Sequence, residues 1–450
     1  MKKFLRTLCA LVVTLAVLMG MVGAALASSP ADAFENKELK LAIFEGAYGQ
    51  AFWNEVVALF EAAYPGVKIE MQISPTVGDI IRPQIVAGDV PDFLSLNDND
   101  QTGLVASMIK EGALLDITDL FDQPALGTDS ALKDVLIEGI LNTTKCSPYG
   151  DGKVYLAPFN TSPMGLVYNK TLFEENGWTL PVTWDDFFAL SEKATEQGIA
   201  LFTYQGIYPG YLESMLYPAI ASHVGTDGLK NIMSFQEGSF NNPEVLEVLN
   251  NFAKIGTGGY LMEGTVALNH TQSQTEMMMN KALFIPNGLW MEGEMAEAPR
   301  ADGFAFGMTA SPVISADQQR YIMDSVEQFS IPKDAKNPEL AKEFLRFLYT
   351  DDVIRLFGQH ANGVMAVRGA IELVKDSVTE GTYGMFSVYE DCSAAPLVTG
   401  WDALPQGSKV AINDEFFMPI TDLMNGAITA EQWAAEIEDL FTQIRADAAK

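Results

Sequence analysis

The chain has 450 residues, with 59 acidic side chains against 28 basic ones and a formal net charge of −31 at pH 7. Such an acidic protein repels phosphate backbones and anionic lipid surfaces, which excludes nucleic acid as a partner. The length is more than one hydrophobic core normally serves, so two lobes are predicted.

The N-terminus has the pattern of an export signal. Basic residues at positions 2, 3 and 6 precede an apolar run at 8–27 that ends in Ala25-Leu26-Ala27, as in a secretory signal peptide (1–27) that is cleaved after Ala27. A membrane anchor is the alternative, because the run approaches the length of a spanning helix. Residues 28–38 are predicted to form a flexible leader, and the protein is expected to be exported to the periplasm or the cell exterior.

Residues 39–96 alternate between strand and helix patterns. In the predicted helix at 50–64, Phe52, Val56 and Phe60 recur at helical spacing. The other predicted elements are strands at 39–44, 67–73 and 92–96 and a short helix at 79–87. This order implies a parallel sheet covered by helices on both faces, with a ligand site beyond the carboxyl ends of the strands.

Polar side chains follow two of these predicted strands. Glu45 and Tyr48 come after the first strand, and Asn97 and Asp98 come after the third. All four are candidate ligand contacts, because their side chains form hydrogen bonds with hydroxyl groups and those of carboxylates are the stronger ones. The alternative for Asn97 and Asp98 is that they cap a helix beginning near Gln101.

Four segments of the chain together resemble one protein family. They are AAYPGVKIEMQI from Ala62, EGALLDITDLF from Glu111, the stretch 154–193 with NTSPMG from Asn160, and KNPELAKEFLRFLYTDD from Lys336. In this order they resemble the extracellular solute-binding proteins of carbohydrate ABC importers. The resemblance implies a periplasmic-binding-protein-like α/β fold, in which two lobes joined by hinge crossings enclose a ligand cleft, and makes Asn160 a candidate contact.

The early cysteine differs from the pattern of lipid-anchored family members. Many of them carry a cysteine at the cleavage site, whereas Cys9 lies inside the apolar run. No lipid anchor is therefore indicated. An exported compartment permits the other cysteines, Cys146 and Cys392, to form a disulfide. The alternative is that they are two unrelated buried thiols.

Tyrosines crowd a predicted loop of the second lobe. The stretch 199–217 has the pattern of a strand that breaks at Gly206 before a helix, with Tyr208 and Tyr211 in between. A tyrosine ring stacks on the apolar face of a pyranose while its hydroxyl bonds the polar rim, so both are candidate sugar contacts. Packing in an aromatic core is the alternative, and Tyr208 is preferred because Tyr211 begins a helix.

In the segment ALFIPNGLWMEGEM at 282–295, a predicted strand ends in Pro286-Asn287-Gly288, and Trp290 follows directly before an acidic helix start. It resembles the corresponding segment of binding proteins for N-acetylglucosamine and diacetylchitobiose. By that resemblance Trp290 is the stacking platform, and Asn287 and Glu292 lie near the sugar. The alternative is a tryptophan that packs between the lobes.

The C-terminal half holds three more candidates. Glu327 stands where many family members have a glycine pair, which makes it a hydrogen-bond acceptor at the cleft or a solvated hinge residue. Trp401 and Asp402 are a possible second platform with an adjacent acceptor.

Linear signatures of catalysis and metal binding are missing from the sequence. It contains no HExxH, GxSxG or GxxxxGK[ST] motif, and its three histidines lack metal-ligand spacing. The loop from Asp98 matches the opening of an EF-hand, but Ile109 stands where the bidentate glutamate is needed. No cofactor, metal or catalytic residue is predicted, although a hydrolase that uses carboxylates alone stays open.

These observations lead to one predicted organisation. Lobe 1 comprises 39–118 and 282–326, and lobe 2 comprises 119–281 and 327–450, completed by helical sequence at 338–358 and 430–449. The predicted function is the substrate-binding component of an ABC importer, a monomer that binds a mono- or oligosaccharide between its lobes and delivers it to permease subunits in the membrane. An exported carbohydrate-active hydrolase and a sugar-sensing subunit of a membrane receptor are the alternatives.

Overall fold

The computed structural model describes residues 29–46, 49–97, 102–402, 404–405 and 408–448. The predicted signal peptide, Tyr48 and Asp98 lie outside these residues. Within the described ranges, no helix has the length and apolar character that crossing a membrane requires.

The strands form two sheets, one in each lobe. They are β1 (Glu38–Phe44), β2 (Lys68–Ser74), β3 (Phe93–Ser95), β4 (Leu156–Pro158), β5 (Ser162–Asn169), β6 (Ala200–Phe202), β7 (Ala282–Gly288), β8 (Phe306–Thr309), β9 (Tyr321–Ser325), β10 (Gln328–Ser330) and β11 (Ala395–Leu397). The first sheet has the order β2-β1-β3-β10-β4, and the second has the order β11-β9-β5-β7-β6, with β8 also paired to β5.

The helices cover both sheets. They are α1 (Gly49–Ala63), α2 (Val77–Val86), α3 (Leu104–Glu111), α4 (Thr118–Phe121), α5 (Leu132–Val135), α6 (Lys170–Asn176), α7 (Trp184–Thr195), α8 (Glu213–Met233), α9 (Pro243–Thr257), α10 (His270–Met278), α11 (Met291–Glu294), α12 (Pro338–Leu348), α13 (Asp351–Ala361), α14 (Ala370–Val374), α15 (Glu380–Phe386), α16 (Val388–Asp391), α17 (Ile412–Phe417), α18 (Ile420–Met424) and α19 (Ala430–Ala448).

The first sheet is parallel where the sequence predicted it. β1 pairs with β2 and β3 in parallel register, and both of its faces are buried. Leu41 and Ile43 pack with α1 and α12 in one cluster, whereas Ala42 packs with α2 and α3 in another. Since successive strand residues point to opposite faces, an apolar run such as that of β1 indicates burial on both sides.

The second sheet is built around β5, which pairs antiparallel with β7, β8 and β9. Its main core combines strand residues such as Phe202 and Phe284 with helical aromatics such as Phe187 and Trp433. The C-terminal helix α19 packs in this core, as predicted for 430–449.

The lobe boundaries differ from the predicted ones. Residues 282–326 belong to the second lobe, because β7, β8 and β9 are hydrogen bonded to β5. Residues 119–158 belong to the first lobe, since β4 closes the first sheet and α4 and α5 pack in its core. The helices α12 and α13, predicted at 338–358 for the second lobe, also pack in the first.

Within the residues that the structure describes, the chain passes between the lobes three times. The first crossing is 159–161, between β4 and β5, and the second is 326–327, between β9 and β10. The third is 375–387, because Val374 belongs to the core of the first lobe and Val388 to a cluster of the second.

Two local predictions are corrected by the structure. The leader is not flexible throughout, because Pro30–Ala33 form a 3-10 turn capped by Ser29 and Ala31 is buried in the core of the first lobe. Cys146 and Cys392 are free, buried thiols, and they belong to the hydrophobic clusters of different lobes. No disulfide joins them.

Candidate functional site

One edge of the first sheet faces the second lobe. The parallel strands β1, β2 and β3 all end at this edge. β10 runs antiparallel to β3 and β4, so it begins where they end. Since β4 leaves for the second lobe from this edge and β10 arrives there, the loops after β1 and β3 lie beside the crossings.

The matching edge of the second sheet faces the first lobe. Gly288, at the end of β7, pairs with Met164 near the beginning of β5, and β6 runs parallel to β7. The loops after β6 and β7 therefore share one edge with the start of β5. Leu289 also packs against the hydrophobic core of the first lobe, which places this edge at the boundary between the lobes.

Glu45 and Asn97 lie on the first-lobe edge as predicted, and each is tied to its surroundings. The Glu45 carboxylate accepts a hydrogen bond from Gln50 Nε2 at 2.9 Å. Asn97 Oδ1 accepts from the backbone amide of Gln328 at 3.4 Å. Asn97 therefore contacts the first residue of β10, immediately after the second crossing.

Asn160 and Glu327 meet within the hinge. Asn160 Oδ1 accepts from the Glu327 amide at 2.9 Å, and the Glu327 carbonyl accepts from the Phe159 amide at 2.7 Å. These bonds tie the first crossing to the second. The backbone of Glu327 therefore lies in the hinge, which is one of the two alternatives predicted for this residue.

Trp290 presents its indole at the second-lobe edge. The ring lies over Gly288, where an added Cβ would overlap it, and its side chain stays 37% exposed. Tyr211, from the loop after β6, approaches the indole edge to face, with ring centroids 6.5 Å apart. The two residues form a partly exposed aromatic pair at this edge.

Tyr208 extends the aromatic surface outward. It is 51% exposed, and its ring centroid lies 5.6 Å from that of His270. His270 Nε2 lies 3.4 Å from Glu294 Oε1, and burial, together with the charge of Glu294, raises the pKa of Tyr211. Tyr208 and Tyr211 therefore border the same group of polar side chains.

Asn287 and Glu292 differ in how available their polar atoms are. Asn287 is fully buried, and its Nδ2 has no hydrogen-bond partner among the described residues. The Glu292 carboxylate accepts hydrogen bonds from the hydroxyls of Thr379 and Thr382, at the start of α15. A carboxylate at a helix N-terminus is a stabilising arrangement, so Glu292 has a structural role on the third crossing.

Trp401 and Asp402 lie apart from this aromatic pair. The Trp401 ring stacks on Phe235 with centroids 5.6 Å apart and contacts Phe416, so it packs in the core of the second lobe. The Asp402 amide donates to the Met233 carbonyl at 2.9 Å, and burial raises the pKa of its carboxyl. Trp401 was predicted as a possible second stacking platform, whereas in the structure its ring packs against core residues.

Two residues of the site were not predicted. Phe44 ends β1 with its ring folded over Gly46, yet it is 43% exposed at the first-lobe edge. Glu213 begins α8, two residues after Tyr211, and its pKa is raised to about 7 by burial, an effect that the charge of Lys145 opposes. Lys145 adjoins a core residue of the first lobe, Cys146, so the Glu213 carboxyl interacts electrostatically with the opposite lobe.

The sequence offered one usable signal for each of these residues. Phe44 stands directly before the predicted loop at Glu45, and an aromatic at the carboxyl end of a parallel strand is well placed for a ligand. Glu213 follows the tyrosine-rich loop. Its surroundings depend on Lys145, which lies far away in the chain, so no local pattern could reveal its raised pKa.

Two α/β lobes with three crossings and facing polar and aromatic edges define a solute-binding protein. The chain belongs to the family of bacterial extracellular solute-binding proteins, whose family model matches residues 46–354. The predicted family and fold class are thereby confirmed.

Relatives and solved structures are consistent with this membership. The chain is 26% identical over 352 residues to the diacetylchitobiose binding protein NgcE of Streptomyces coelicolor, covering 77% of this chain and 73% of that protein. It is 22% identical over 327 residues to the multiple sugar-binding protein of Streptococcus mutans, covering 71% and 72%. The apo form of RafE from Streptococcus pneumoniae has the same fold, with a TM-score of 0.69 at 19% identity over 91% of this chain and 99% of RafE.

Proposed function

We propose that this protein is the substrate-binding component of an ABC importer and captures a carbohydrate between its lobes. The observation that carries the proposal is the pair of facing edges at the crossings, which present Trp290, Tyr211 and Phe44 beside polar groups. Aromatic faces bind the apolar face of a pyranose, and neighbouring acceptors bind its hydroxyl rim. The names of the relatives, which bind diacetylchitobiose or several sugars, point in the same direction.

The polar groups of the site suit a neutral ligand rich in hydroxyls. Glu45 and Glu213 supply carboxylate oxygens, which accept strong hydrogen bonds from hydroxyl or amide donors. Asn287 adds a buried donor without a partner among the described residues, which is matched by the carbonyl oxygen of an acetamido group. We infer that an acetylated amino sugar, as a mono- or disaccharide, is the preferred substrate class.

Binding is proposed to close the lobes about the crossings. A ligand held between two lobes stabilises the closed arrangement only through contacts that it makes better there than in the open one. The closed protein then presents both lobes to permease subunits in the membrane. Such a cycle needs an exported binding protein, as the N-terminal signal predicts, and a monomer suffices for it.

We propose further that no chemistry follows binding. A glycoside hydrolase places two carboxyl groups within about 5 to 10 Å of each other, where each changes the pKa of the other. Burial raises the pKa of Glu213 and the charge of Lys145 opposes this, and no second carboxylate of the described residues contributes to the shift. Prolonged incubation with diacetylchitobiose, followed by chromatography, is expected to return the disaccharide intact, and release of N-acetylglucosamine would support the hydrolase alternative instead.

Thermal unfolding of the mature protein against a sugar panel tests the proposed substrate. A ligand that binds only the folded state raises the unfolding temperature. We expect diacetylchitobiose to raise it, with cellobiose as the matched control, because cellobiose has the same β-1,4 linkage without the acetamido groups. An equal shift with cellobiose would remove the acetyl preference, and a panel without any shift would remove the carbohydrate proposal.

A further inference from the structure

A single buried carboxylate lies at the centre of the hinge. Asp324, near the end of β9, is only 3% exposed. Its Oδ1 accepts from the Ser162 amide at 2.8 Å, and its Oδ2 accepts from the hydroxyl of Thr161 and, at 2.7 Å, from that of Tyr389. Three donors from distant parts of the chain thus converge on one side chain.

The donors lie at the first and third crossings, whereas Asp324 lies beside the second. Thr161 ends the first crossing, Ser162 begins β5 directly after it, and Asp324 lies two residues before the second crossing. Tyr389 follows the third crossing, and its ring packs against the hydrophobic clusters of both lobes. The carboxylate therefore joins all three crossings through hydrogen bonds.

Hydrogen bonds from these three donors stabilise the charge of Asp324. Among the side chains that the structure describes, no cation forms an ion pair with it, although the ion pairs elsewhere involve lysine, arginine or histidine. Burial raises the pKa of its carboxyl, and the hydrogen bonds from Thr161, Tyr389 and Ser162 act in the opposite direction. Because an unpaired buried charge is costly, the three donors are strongly held in place by it.

We propose that Asp324 is the positioning residue of the hinge, which holds the three crossings at a fixed spacing so that the lobes turn about one axis. Without this junction each crossing bends independently, and the unliganded protein samples a wider range of angles between its lobes. The inference rests on the proposed function only where it concerns ligand binding. The geometry of the unliganded hinge is independent of any ligand.

Tyr389→Phe tests the junction with the smallest change, since it removes one hydroxyl and keeps the ring. Spin labels at Val86→Cys and Met418→Cys report the distance between the lobes, because these positions are 85% and 66% exposed while the native cysteines are buried. Double electron–electron resonance is expected to show a broader distance distribution in Tyr389→Phe than in the labelled parent. Thr161→Val should broaden the distribution as well. The double variant should broaden it by less than the sum of the two single effects, because both hydroxyls act through one carboxylate.

Tyr155→Phe is the matched control. It removes a tyrosine hydroxyl from the first lobe, outside the crossings, where the hydroxyl donates to Asp151 at 2.8 Å, and it should leave the distribution unchanged. An unchanged width in Tyr389→Phe, or equal broadening in Tyr155→Phe, would overturn the positioning role and leave Asp324 as an ordinary buried side chain. Asp324→Asn provides a second variant, because it removes the negative charge that holds the three donors, and it should broaden the distribution as well.

Measurements with added sugar distinguish a failure of the hinge inference from a failure of the proposed function. Diacetylchitobiose is expected to narrow the distribution in the parent and to bind a few-fold more weakly to Tyr389→Phe, because closing a looser hinge removes more conformational freedom. If no sugar binds while the width still differs between variants, the hinge inference stands and the proposed function fails. If sugar binds equally tightly to both and the widths agree, the function stands and the hinge inference fails.

Discussion

The two edges that face each other across the hinge use different chemistry. On the first lobe, the polar side chains are tied to neighbours, as Glu45 is to Gln50 and Asn97 to the backbone of Gln328. On the second lobe, Trp290 and Tyr211 leave ring surface exposed, and the Glu213 carboxyl interacts with the charge of Lys145 from the opposite lobe. We therefore propose that the second lobe supplies most of the stacking surface, and that the first lobe completes the site when the lobes approach.

Removal of the indole should produce the largest effect. Trp290→Ala is expected to weaken diacetylchitobiose binding by about 10- to 100-fold, since aromatic stacking and burial contribute about 1.5 to 3 kcal/mol. Isothermal titration calorimetry measures the change directly. Binding that survives at nearly full strength would show that the second lobe does not carry the stacking surface.

Trp178→Ala is the control for this variant. Trp178 packs against Phe173 at the end of α6, which follows β5 at the end of the strand away from the crossings. It should lower the unfolding temperature without changing the affinity for sugar. Equal losses of affinity in both variants would point to general destabilisation instead of a stacking platform.

Gly288→Ala sharpens the same comparison without touching the indole itself. An added Cβ would overlap the Trp290 ring, so the ring must leave its position. We expect affinity for diacetylchitobiose to fall by about 10-fold, close to the effect of a misplaced contact surface, together with a change in tryptophan fluorescence. Normal affinity with altered fluorescence would mean that the orientation of the indole is not used in binding.

Phe44→Ala probes the first-lobe edge. The ring is partly exposed and supported by Gly46, and we expect its loss to weaken binding by about 3- to 10-fold, less than the loss of Trp290, since it removes about 1 kcal/mol of contact. Calorimetry on both variants ranks the two lobes. A larger effect for Phe44 than for Trp290 would reverse the proposed division between the edges.

The sequence patterns reveal the first-lobe sheet better than the organisation of the lobes. The strands β1, β2 and β3 and the intervening helices are local, continuous and separated by turn signals, so periodicity is enough to find them. The assignment of β7, β9 and α12 depends on which distant strand or helix each one meets. Apolar patterns show that an element is buried but carry no information about its partner, which explains why the predicted boundaries were wrong for 282–326.

The same limit applies within the site. The position of Trp290, Tyr208 and Tyr211 at strand ends could be predicted, because they stand beside turn residues that follow predicted strands. Their contact with a ligand stays a prediction. Trp401 has a similar local pattern, and only its contacts with Phe235 and Phe416 show that it packs in the core. Asp324 lies in an ordinary strand sequence, and its importance arises from donors that are at least 65 residues away along the chain.

Glu213→Gln is expected to act on stability, and its effect tests the polar part of the second-lobe edge. The ordinary pKa of a glutamate carboxyl is 4.5, and burial raises that of Glu213 to about 7. The folded protein therefore holds this proton more tightly than the unfolded chain does. Its contribution to stability is greatest below the ordinary pKa, declines as the pH rises towards 7 and stays constant above it.

The charged form of Glu213 is thus expected to cost about 1 to 3 kcal/mol of folding free energy at neutral pH, an order of magnitude set by the size of the pKa shift. Glutamine has a similar shape without the charge, so the variant should match the parent near pH 4.5 and become more stable than it by pH 7.5. Denaturant unfolding at several pH values measures this difference. A constant difference across the range would mean that the carboxyl titrates normally, and that the second-lobe edge is more open to water than its burial between the lobes implies.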